Sequence, residues 1–263
     1  MTEPTKEFLK EAIAYLSPII KQAGEMAAGS WLNIKIAKFK DQRDVATKTE
    51  IEIENFLKKK ILSKWPEHGF YGEDTRRINA SSDFQWLIDP IDGTKYYVNR
   101  APFFYVHVAL LFKNNPVLGF VYNPISGQLF HALKGNGAYL NSEKILLKSA
   151  VSIDKAIIDA DPGGLLVRGA SEKEWIMGKL CRLMEKSYRV RVSGGSLGIY
   201  LVTGAIDAYV DLGGPKPQDL AARIIIMREA GCKAEYIETP FGKRLLASRE
   251  PLFSELKKIL SKQ

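Results

Sequence analysis

The segment Trp86–Lys95 reads WLIDPIDGTK, in which an apolar strand runs directly into two acids three residues apart. Pro90 and the turn after it let the carboxylates of Asp89 and Asp92 converge, with the Ile91 carbonyl between them. Such oxygen atoms are the hard ligands that Mg²⁺ prefers in proteins. A cation site is therefore one interpretation of the segment, and an ordinary Asp-Pro-x-Asp-Gly-Thr turn is the other.

Acids follow an apolar segment or precede a helical one at two other places in the chain. Glu73 and Asp74 follow Gly72 and the apolar pair Phe70-Tyr71, and Asp219 precedes the helical run 220–226. The helix dipole stabilises an acid at the start of a helix, so Asp219 by itself is typical of a cap. Metal binding and simple capping or turn formation are alternative roles for these acids.

A phosphate site and a helix start are indicated at two short motifs. Gly93 and Thr94 can open a helix whose free backbone amides would face an anion. Thr47 and Glu50 have the spacing of a capping box, in which the Glu50 carboxylate accepts from the Thr47 amide. The sequence thus predicts that a helix begins at this box.

Composition excludes several classes of protein. The chain has 263 residues, of which 46% are hydrophobic and 26% charged, as is typical of a folded globular protein. No apolar run reaches the roughly 18–20 residues of a membrane span, and no secretory signal is present, so we expect a cytoplasmic protein without a membrane partner. Cys181 and Cys232 lack the spacing of a disulfide framework or a zinc site, and we expect both to be buried thiols.

The net charge of +8 would suit nucleic acid, an anionic surface or a small phosphorylated substrate. The basic residues are scattered, and no nucleic-acid-binding motif surrounds the denser groups at 58–60 and 186–191. We interpret these residues as solvated helix faces, so nucleic acid is not an expected partner.

The pattern of apolar residues divides the chain into two parts. The first part is predicted to hold helices near 8–28 and 53–61 and a β-meander with strands at 86–89, 106–112, 117–122 and 128–132. The second part alternates, with helices near 174–186, 196–203, 219–229 and 251–260 and strands at 189–192 and 206–210. We therefore predict an N-terminal α+β subdomain, residues 1–145, and a C-terminal α/β subdomain, residues 146–263, that carries Asp219.

Three separated motifs, taken in order, resemble those of the inositol monophosphatase family of Mg²⁺-dependent, lithium-sensitive phosphatases. Residues 86–94 match the central motif of that family without a mismatch, and residues 72–74 resemble its Gly-Glu-Glu. Residues 219–222 and 229–231 resemble its Trp-Asp-x-Ala-Ala-Gly and Glu-Ala-Gly-Gly motifs. The resemblance spans residues 44–231 and implies an α+β fold, the layered α-β-α-β-α sandwich of the inositol monophosphatase and fructose-1,6-bisphosphatase type.

The resemblance also implies roles for individual residues. Two to three Mg²⁺ ions would be bound by Glu73, Asp89, the Ile91 carbonyl, Asp92 and Asp219, with Asp89 shared between two ions. Catalysis would depend on Glu73, Thr94 and Glu50, of which Thr94 and Glu50 hold the attacking water. Phosphate would lie on the amides of Gly93 and Thr94, and the leaving alcohol would contact Asp211, Ser193, Gly195 and Lys95.

Several positions depart from the family pattern. Position 50 is Glu where the family usually has Asp, so the catalytic role and the capping role both stay open. Residues 95–97, Lys-Tyr-Tyr, replace a Thr-Asn-Phe-like segment. Gln218 stands in place of Trp, and Arg223 and Cys232 stand in place of Gly. No metal ligand is lost, so we expect activity to be retained, and the departures bear on substrate preference.

The resemblance implies a phosphoric monoester hydrolase and a homodimer, with inositol 1-phosphate as the leading substrate. Two alternatives are a 3′(2′),5′-bisphosphate nucleotidase acting on phosphoadenosine phosphate and a fructose-1,6-bisphosphatase. Lys95 and the positive net charge favour a doubly phosphorylated substrate. A non-catalytic module that binds a phosphorylated metabolite is the alternative of another class, and the retention of every implied metal ligand argues against it.

Overall fold

The computed structural model describes residues 3–39, 45–73, 75–147, 149, 151–214 and 217–261. The chain divides into two compact units, the first comprising residues 1–144 and 217–226 and the second residues 145–216 and 227–263. The first segment of the first unit, residues 1–144, ends one residue before the predicted subdomain end at residue 145. The prediction that Asp219 belongs to the second subdomain is corrected, because segment 217–226 packs within the first unit.

The α-helices are α1 (Lys6–Ser30), α2 (Lys48–Lys64), α3 (Thr94–Val98), α4 (Ala170–Lys186), α5 (Pro217–Glu229) and α6 (Leu252–Ser261). The strands of the first unit are β1 (Ile36–Phe39), β2 (Val45–Thr47), β3 (Gly69–Tyr71), β4 (Phe84–Asp92), β5 (Tyr105–Phe112), β6 (Asn115–Asn123), β7 (Gln128–Leu133), β8 (Ala138–Leu140) and β9 (Glu143–Lys144). The strands of the second unit are β10 (Ile157–Asp161), β11 (Arg189–Val192), β12 (Ala208–Asp211), β13 (Lys233–Thr239) and β14 (Gly242–Ser248). These elements include every helix and strand predicted from the apolar pattern except the helix at 196–203, with boundaries shifted by a few residues.

The first unit is built on a seven-stranded sheet in the order β3-β4-β5-β6-β7-β8-β9. Strands β3 and β4 are parallel, and each later pair is antiparallel. Side chains of Leu118 and Phe120 on β6 join the core formed with α1 and α2. Successive strand residues point to opposite faces, so Gly119 points to the other face, where a Cβ would lie 2.5 Å from Ile225 Cγ2. Glycine at this position lets α5 pack directly on the sheet, which explains why Asp219 belongs to this unit.

Side-chain hydrogen bonds at their N-termini explain where helices α1 and α2 begin. The Thr5 hydroxyl accepts from the Phe8 amide at the start of α1. At the start of α2 the Glu50 amide donates to the Thr47 hydroxyl at 3.2 Å, and the Thr47 amide donates to the Glu50 carboxylate. Both halves of the predicted capping box are therefore present.

The second unit contains a five-stranded mixed sheet in the order β11-β10-β12-β14-β13. Its core joins Val210 and Leu246 of the sheet to Leu180 of α4 and Leu256 of α6. Residues 196–203, predicted as a helix, lie in a 3₁₀-helix, Gly195–Thr203. Its tighter winding accompanies the close approach of Gly198 to Tyr209, where a Cβ would lie 2.3 Å from the ring.

The sequence predicted that no segment spans a membrane and that Cys181 and Cys232 are both buried. No helix within the described ranges is long and apolar enough to cross a membrane. Cys232 is buried, and burial raises the pKa of its thiol to about 11. Cys181 is exposed on α4, so the prediction that both thiols are buried was wrong for this residue. The apolar stripe of α4 lies on other positions of the helix, including Ile176, Leu180 and Leu183.

Candidate active site

A β-bulge at the end of β4 places two carboxylates on one face of the sheet. Asp89 pairs with His107 and Asp92 pairs with Tyr105, so two residues of β4 oppose one residue of β5. In a regular strand, residues three apart point to opposite faces. The extra residue brings Asp89 and Asp92 to the same side, and Pro90, which has no amide hydrogen, is tolerated at such a bulge.

Asp89 is the most strongly perturbed acid in this region. It is buried, with 6% of its surface exposed. Burial, followed by the negative charges of Asp92, Asp219, Glu73 and Glu50, raises the pKa of Asp89 well above its usual range. The structure thus brings the four carboxylates implied as metal ligands, together with Glu50, within electrostatic range of one another.

This donor set fits a divalent cation. A buried cluster of acids with such mutual repulsion is stabilised by an opposite charge, and carboxylate and carbonyl oxygens suit Mg²⁺. No three His, Cys, Asp or Glu side chains in the described part of the chain have the close spacing of an assembled metal cage.

Glu50 makes two contacts, one for each of the roles that the sequence left open. One carboxylate oxygen completes the capping box with Thr47, and the other accepts from the Thr94 hydroxyl at 2.8 Å. The same hydroxyl lies 3.1 Å from the Ile91 carbonyl oxygen. Burial is the main cause that raises the pKa of Glu50, which is 1% exposed. The cap and the Thr94 contact therefore coexist on one side chain.

Gly93 forms the sharp turn between β4 and α3. Its φ of 87° lies in the left-handed region, and a Cβ would lie 2.6 Å from the Phe103 carbonyl oxygen. Both observations require glycine here. The turn sets Thr94 at the first position of α3, from which its hydroxyl reaches Glu50.

Glu73 lies in the loop after β3, and its backbone amide is held from α2. The Glu54 carboxylate accepts from the Glu73 amide at 2.7 Å. The neighbouring Asp74 lies outside the described residues. Sequence reasoning missed Glu54, although its position four residues after Glu50 on α2 was an available signal.

His107 and Arg223 were also missed as parts of this region. Buried Arg223 donates from Nε to the Asp219 carbonyl oxygen at 2.9 Å, and His107 forms a hydrogen bond with the Asp219 backbone. His107 Nε2 lies 3.8 Å from Asp92 Oδ2. Burial lowers the pKa of His107 to about 4, so this contact is not an ion pair at neutral pH. His107 therefore contacts both the end of β4 and the first turn of α5, and Arg223 contacts that turn from within the helix.

The implied contacts to the leaving alcohol lie in two places. Lys95 is exposed on α3 of the first unit. The other three lie in the second unit, where each has a local structural partner or conformation. Asp211 accepts from the amides of Gly213 and Gly214, and the Ser193 hydroxyl donates to Asp159 at 2.5 Å. Gly195 has a φ of 68° at the start of its 3₁₀-helix.

Comparison with known proteins identifies the family. The sequence model of the inositol monophosphatase family matches residues 3–262. The chain belongs to the inositol monophosphatase family. Inositol monophosphatase 1 of Homo sapiens is 27% identical over 261 residues, covering 94% of this chain and 92% of the human protein. Inositol monophosphatase 2 of Solanum lycopersicum is 32% identical over 219 residues, covering 80% of this chain and 82% of the tomato protein.

Solved structures of this family share the fold. The extragenic suppressor protein suhB from Bartonella henselae aligns with a TM-score of 0.85 at 23% identity, covering 96% of this chain and 99% of that one. An IMPase/NADP phosphatase complexed with Mg²⁺ and phosphate aligns with a TM-score of 0.82 at 20% identity, covering 97% of each chain. The predicted α+β fold of the inositol monophosphatase type is confirmed. The chain is a phosphoric monoester hydrolase, as its family implies.

Proposed function

We propose that this enzyme is a Mg²⁺-dependent phosphatase of a small phosphorylated alcohol, with inositol 1-phosphate as the leading substrate. One observation carries the proposal: buried Asp89 lies among four other carboxylates, one of which, Glu50, binds the Thr94 hydroxyl. A fold built only to bind a phosphorylated metabolite has no need for this concentration of buried negative charge, which is costly without a cation.

Mg²⁺ would be held by the carboxylates of Glu73, Asp89, Asp92 and Asp219 and by the Ile91 carbonyl. When bound, Mg²⁺ would stabilise the negative charge on the phosphoryl oxygens and the leaving oxygen, and it would lower the pKa of a bound water. A solved structure of this fold, an IMPase/NADP phosphatase complexed with Mg²⁺ and phosphate, supports magnesium as the cation. We propose two to three ions, as the family resemblance implies.

The side chains around Thr94 would orient the attacking water. The Thr94 hydroxyl donates a hydrogen bond to Glu50, so the lone pairs of its oxygen can accept a hydrogen bond from water. As the water attacks, its proton would pass to the Thr94 oxygen while the Thr94 hydroxyl proton passes to ionised Glu50, which acts as the base. The backbone amides of Gly93 and Thr94 would hold the phosphate, and Asp211, Ser193, Gly195 and Lys95 would contact the alcohol.

The decisive experiment is phosphate release from a substrate panel, with Mg²⁺ and with EDTA. The panel contains inositol 1-phosphate, 3′-phosphoadenosine 5′-phosphate and fructose 1,6-bisphosphate. We expect Mg²⁺-dependent release with the highest kcat/KM for inositol 1-phosphate. A higher kcat/KM for either bisphosphate would replace this substrate assignment, and no Mg²⁺-dependent release from any compound would contradict the proposed activity.

Lys95 offers a test of the bisphosphate alternatives. It follows Thr94 directly and is exposed, so its ammonium group is free to meet a second phosphate. If a bisphosphate is a substrate, Lys95→Ala should lower kcat/KM for it by roughly fivefold, a modest effect because solvent screens an exposed charge. Inositol 1-phosphate should be spared. Lys59→Ala, on the exposed side of α2, is the control, and an equal loss on both substrates would reject a selective role for Lys95.

Lithium inhibition is a further expected property of the metal site. Li⁺ at millimolar concentration should lower the steady-state rate, because it would take one cation position while carrying half the charge of Mg²⁺. Rates are measured across a LiCl titration with NaCl at equal ionic strength as the control. Identical rates in the two salts would count against an intact second cation position.

The homodimer and the cytoplasmic location implied by the resemblance stay predictions. Sedimentation of the purified chain at several concentrations would measure its oligomeric state.

A further inference from the structure

Glu54 is a buried acid that the mechanism above does not use. It lies on α2 one turn after Glu50 and is 2% exposed. Burying a carboxylate is costly unless hydrogen bonds compensate it. Its Oε2 accepts from the Glu73 backbone amide at 2.7 Å, a bond between residues 19 positions apart in the chain.

We propose that Glu54 is a positioning residue that sets the place of the Glu73 carboxylate by holding the Glu73 backbone amide. This inference rests on the proposed function, because it takes Glu73 as a metal ligand. Partners of metal ligands fix the orientation of those ligands, and their loss typically weakens metal binding.

The residue before Glu73 shows how closely the loop is fitted to this carboxylate. A Cβ at Gly72 would lie 2.3 Å from Glu54 Cδ and within 2.6 Å of both carboxylate oxygens. No side chain fits there while Glu54 keeps its place. The Glu54 carboxylate therefore contacts two consecutive residues of the loop: it packs against Gly72 and accepts a hydrogen bond from the Glu73 amide.

The same helix also holds Thr94, through Glu50 at 2.8 Å. Residues four apart on a helix lie on one face, about one turn from each other. Glu50 and Glu54 thus fasten two different segments, the turn after β4 and the loop after β3, to one rigid element. β3 ends at Tyr71, and the hydrogen bond to Glu54 supports the backbone at Glu73, beyond the end of the strand.

The test compares Glu54→Met, Glu54→Gln and the control Glu52→Gln. Methionine has a similar shape but accepts no strong hydrogen bond, whereas the glutamine oxygen can still accept from the Glu73 amide. Glu52 is exposed on the same helix, so its variant removes an equal charge without the contact. The measurements are Mg²⁺ affinity by calorimetry, hydrogen exchange of the Glu73 amide in the metal-free protein, and kcat and KM against Mg²⁺ concentration.

We expect Glu54→Met to weaken Mg²⁺ binding by about 10-fold or more and to accelerate exchange of the Glu73 amide. Glu54→Gln should restore much of both properties, and Glu52→Gln should match the wild type. At saturating Mg²⁺ the kcat of Glu54→Met should recover to within about threefold, with the substrate KM unchanged. A residue that only stabilises the fold would lower the melting temperature and the active fraction without moving the Mg²⁺ midpoint.

Wild-type Mg²⁺ affinity and wild-type Glu73 exchange in Glu54→Met would overturn the inference. If that variant does not fold, Gly72→Ala replaces it, because the added methyl group must displace the Glu54 carboxylate and should weaken Mg²⁺ binding to a similar degree. Unchanged Mg²⁺ affinity in folded Gly72→Ala would overturn the inference equally. Absence of Mg²⁺ binding in the wild type would instead refute the proposed function, whereas Glu73 exchange in the metal-free variants tests the Glu54 contact independently.

Discussion

Asp89→Asn is expected to lower kcat by about 10³-fold or more while leaving the protein folded. Asp89 is the acid on which the charges of all the other site carboxylates act. In the proposed site it is shared by two cations, whose charge a neutral amide would not compensate. Each factor of ten in rate corresponds to about 1.4 kcal/mol, and metal ions supply several kcal/mol of transition-state stabilisation.

The same substitution should not destabilise the metal-free protein. Burial and four neighbouring acids raise the pKa of Asp89, so the folded protein binds this proton more tightly than the unfolded chain does. As the pH rises from the usual pKa of Asp to this raised pKa, the unfolded chain ionises first, so ionisation increasingly opposes folding. The destabilisation is lost as the pH falls back through that window. Neutral Asn removes it, so at pH 7 in EDTA the melting temperature of Asp89→Asn should equal or exceed that of the wild type.

Two measurements therefore decide this prediction: kcat over a wide Mg²⁺ range and thermal melting in EDTA. Glu67→Gln, an exposed acid of the same unit, serves as the control and should leave both values unchanged. Mg²⁺-dependent turnover near the wild-type rate in Asp89→Asn would contradict the proposal that Asp89 is a metal ligand shared by two ions.

Glu50→Gln is the second substitution with a large expected effect, a loss of about 100-fold in kcat at saturating Mg²⁺. The Gln oxygen can keep the capping bond to the Thr47 amide, but its amide group cannot accept a proton from the Thr94 hydroxyl. The free energy of unfolding should therefore change by no more than about 1 kcal/mol.

Thr94→Val provides the matched variant, because it removes the other partner of the same hydrogen bond. If Glu50 and Thr94 act as a unit, Thr94→Val should cost a similar factor, and the double variant should be scarcely slower than either single one. Saturating Mg²⁺ is essential, since weaker metal binding would imitate the catalytic effect. Turnover of Glu50→Gln close to wild type would limit Glu50 to its capping role.

Much of this region was predictable because it depends on residues close together in the chain. A capping box spans four consecutive residues, and helix geometry alone brings Thr47 and Glu50 into contact. An apolar strand that ends in Asp-Pro-Ile-Asp-Gly-Thr likewise carries its own turn, since Gly93 accepts a positive φ that other residues resist. The fold class followed from the same local patterns together with the family resemblance.

Other contacts of this site join residues that are distant in sequence. Glu50 reaches Thr94 across 44 positions, and Glu54 reaches Glu73 across 19. Neither apolar periodicity nor residue propensity predicts which buried acid meets which backbone amide. His107 is a similar case, since its position on a buried strand is equally typical of a core residue.

The sequence by itself determined the elements, the bulged end of β4 as a place where acids converge, and the cap of α2, because short-range backbone geometry governs all three. Only the tertiary structure decided that Asp219 packs with the first unit, that one Glu50 carboxylate has both a cap and a Thr94 contact, and that Glu54 holds Glu73. Those outcomes depend on how closely separate elements approach, and that approach is set by packing at positions such as Gly72 and Gly119, where a single Cβ would prevent it.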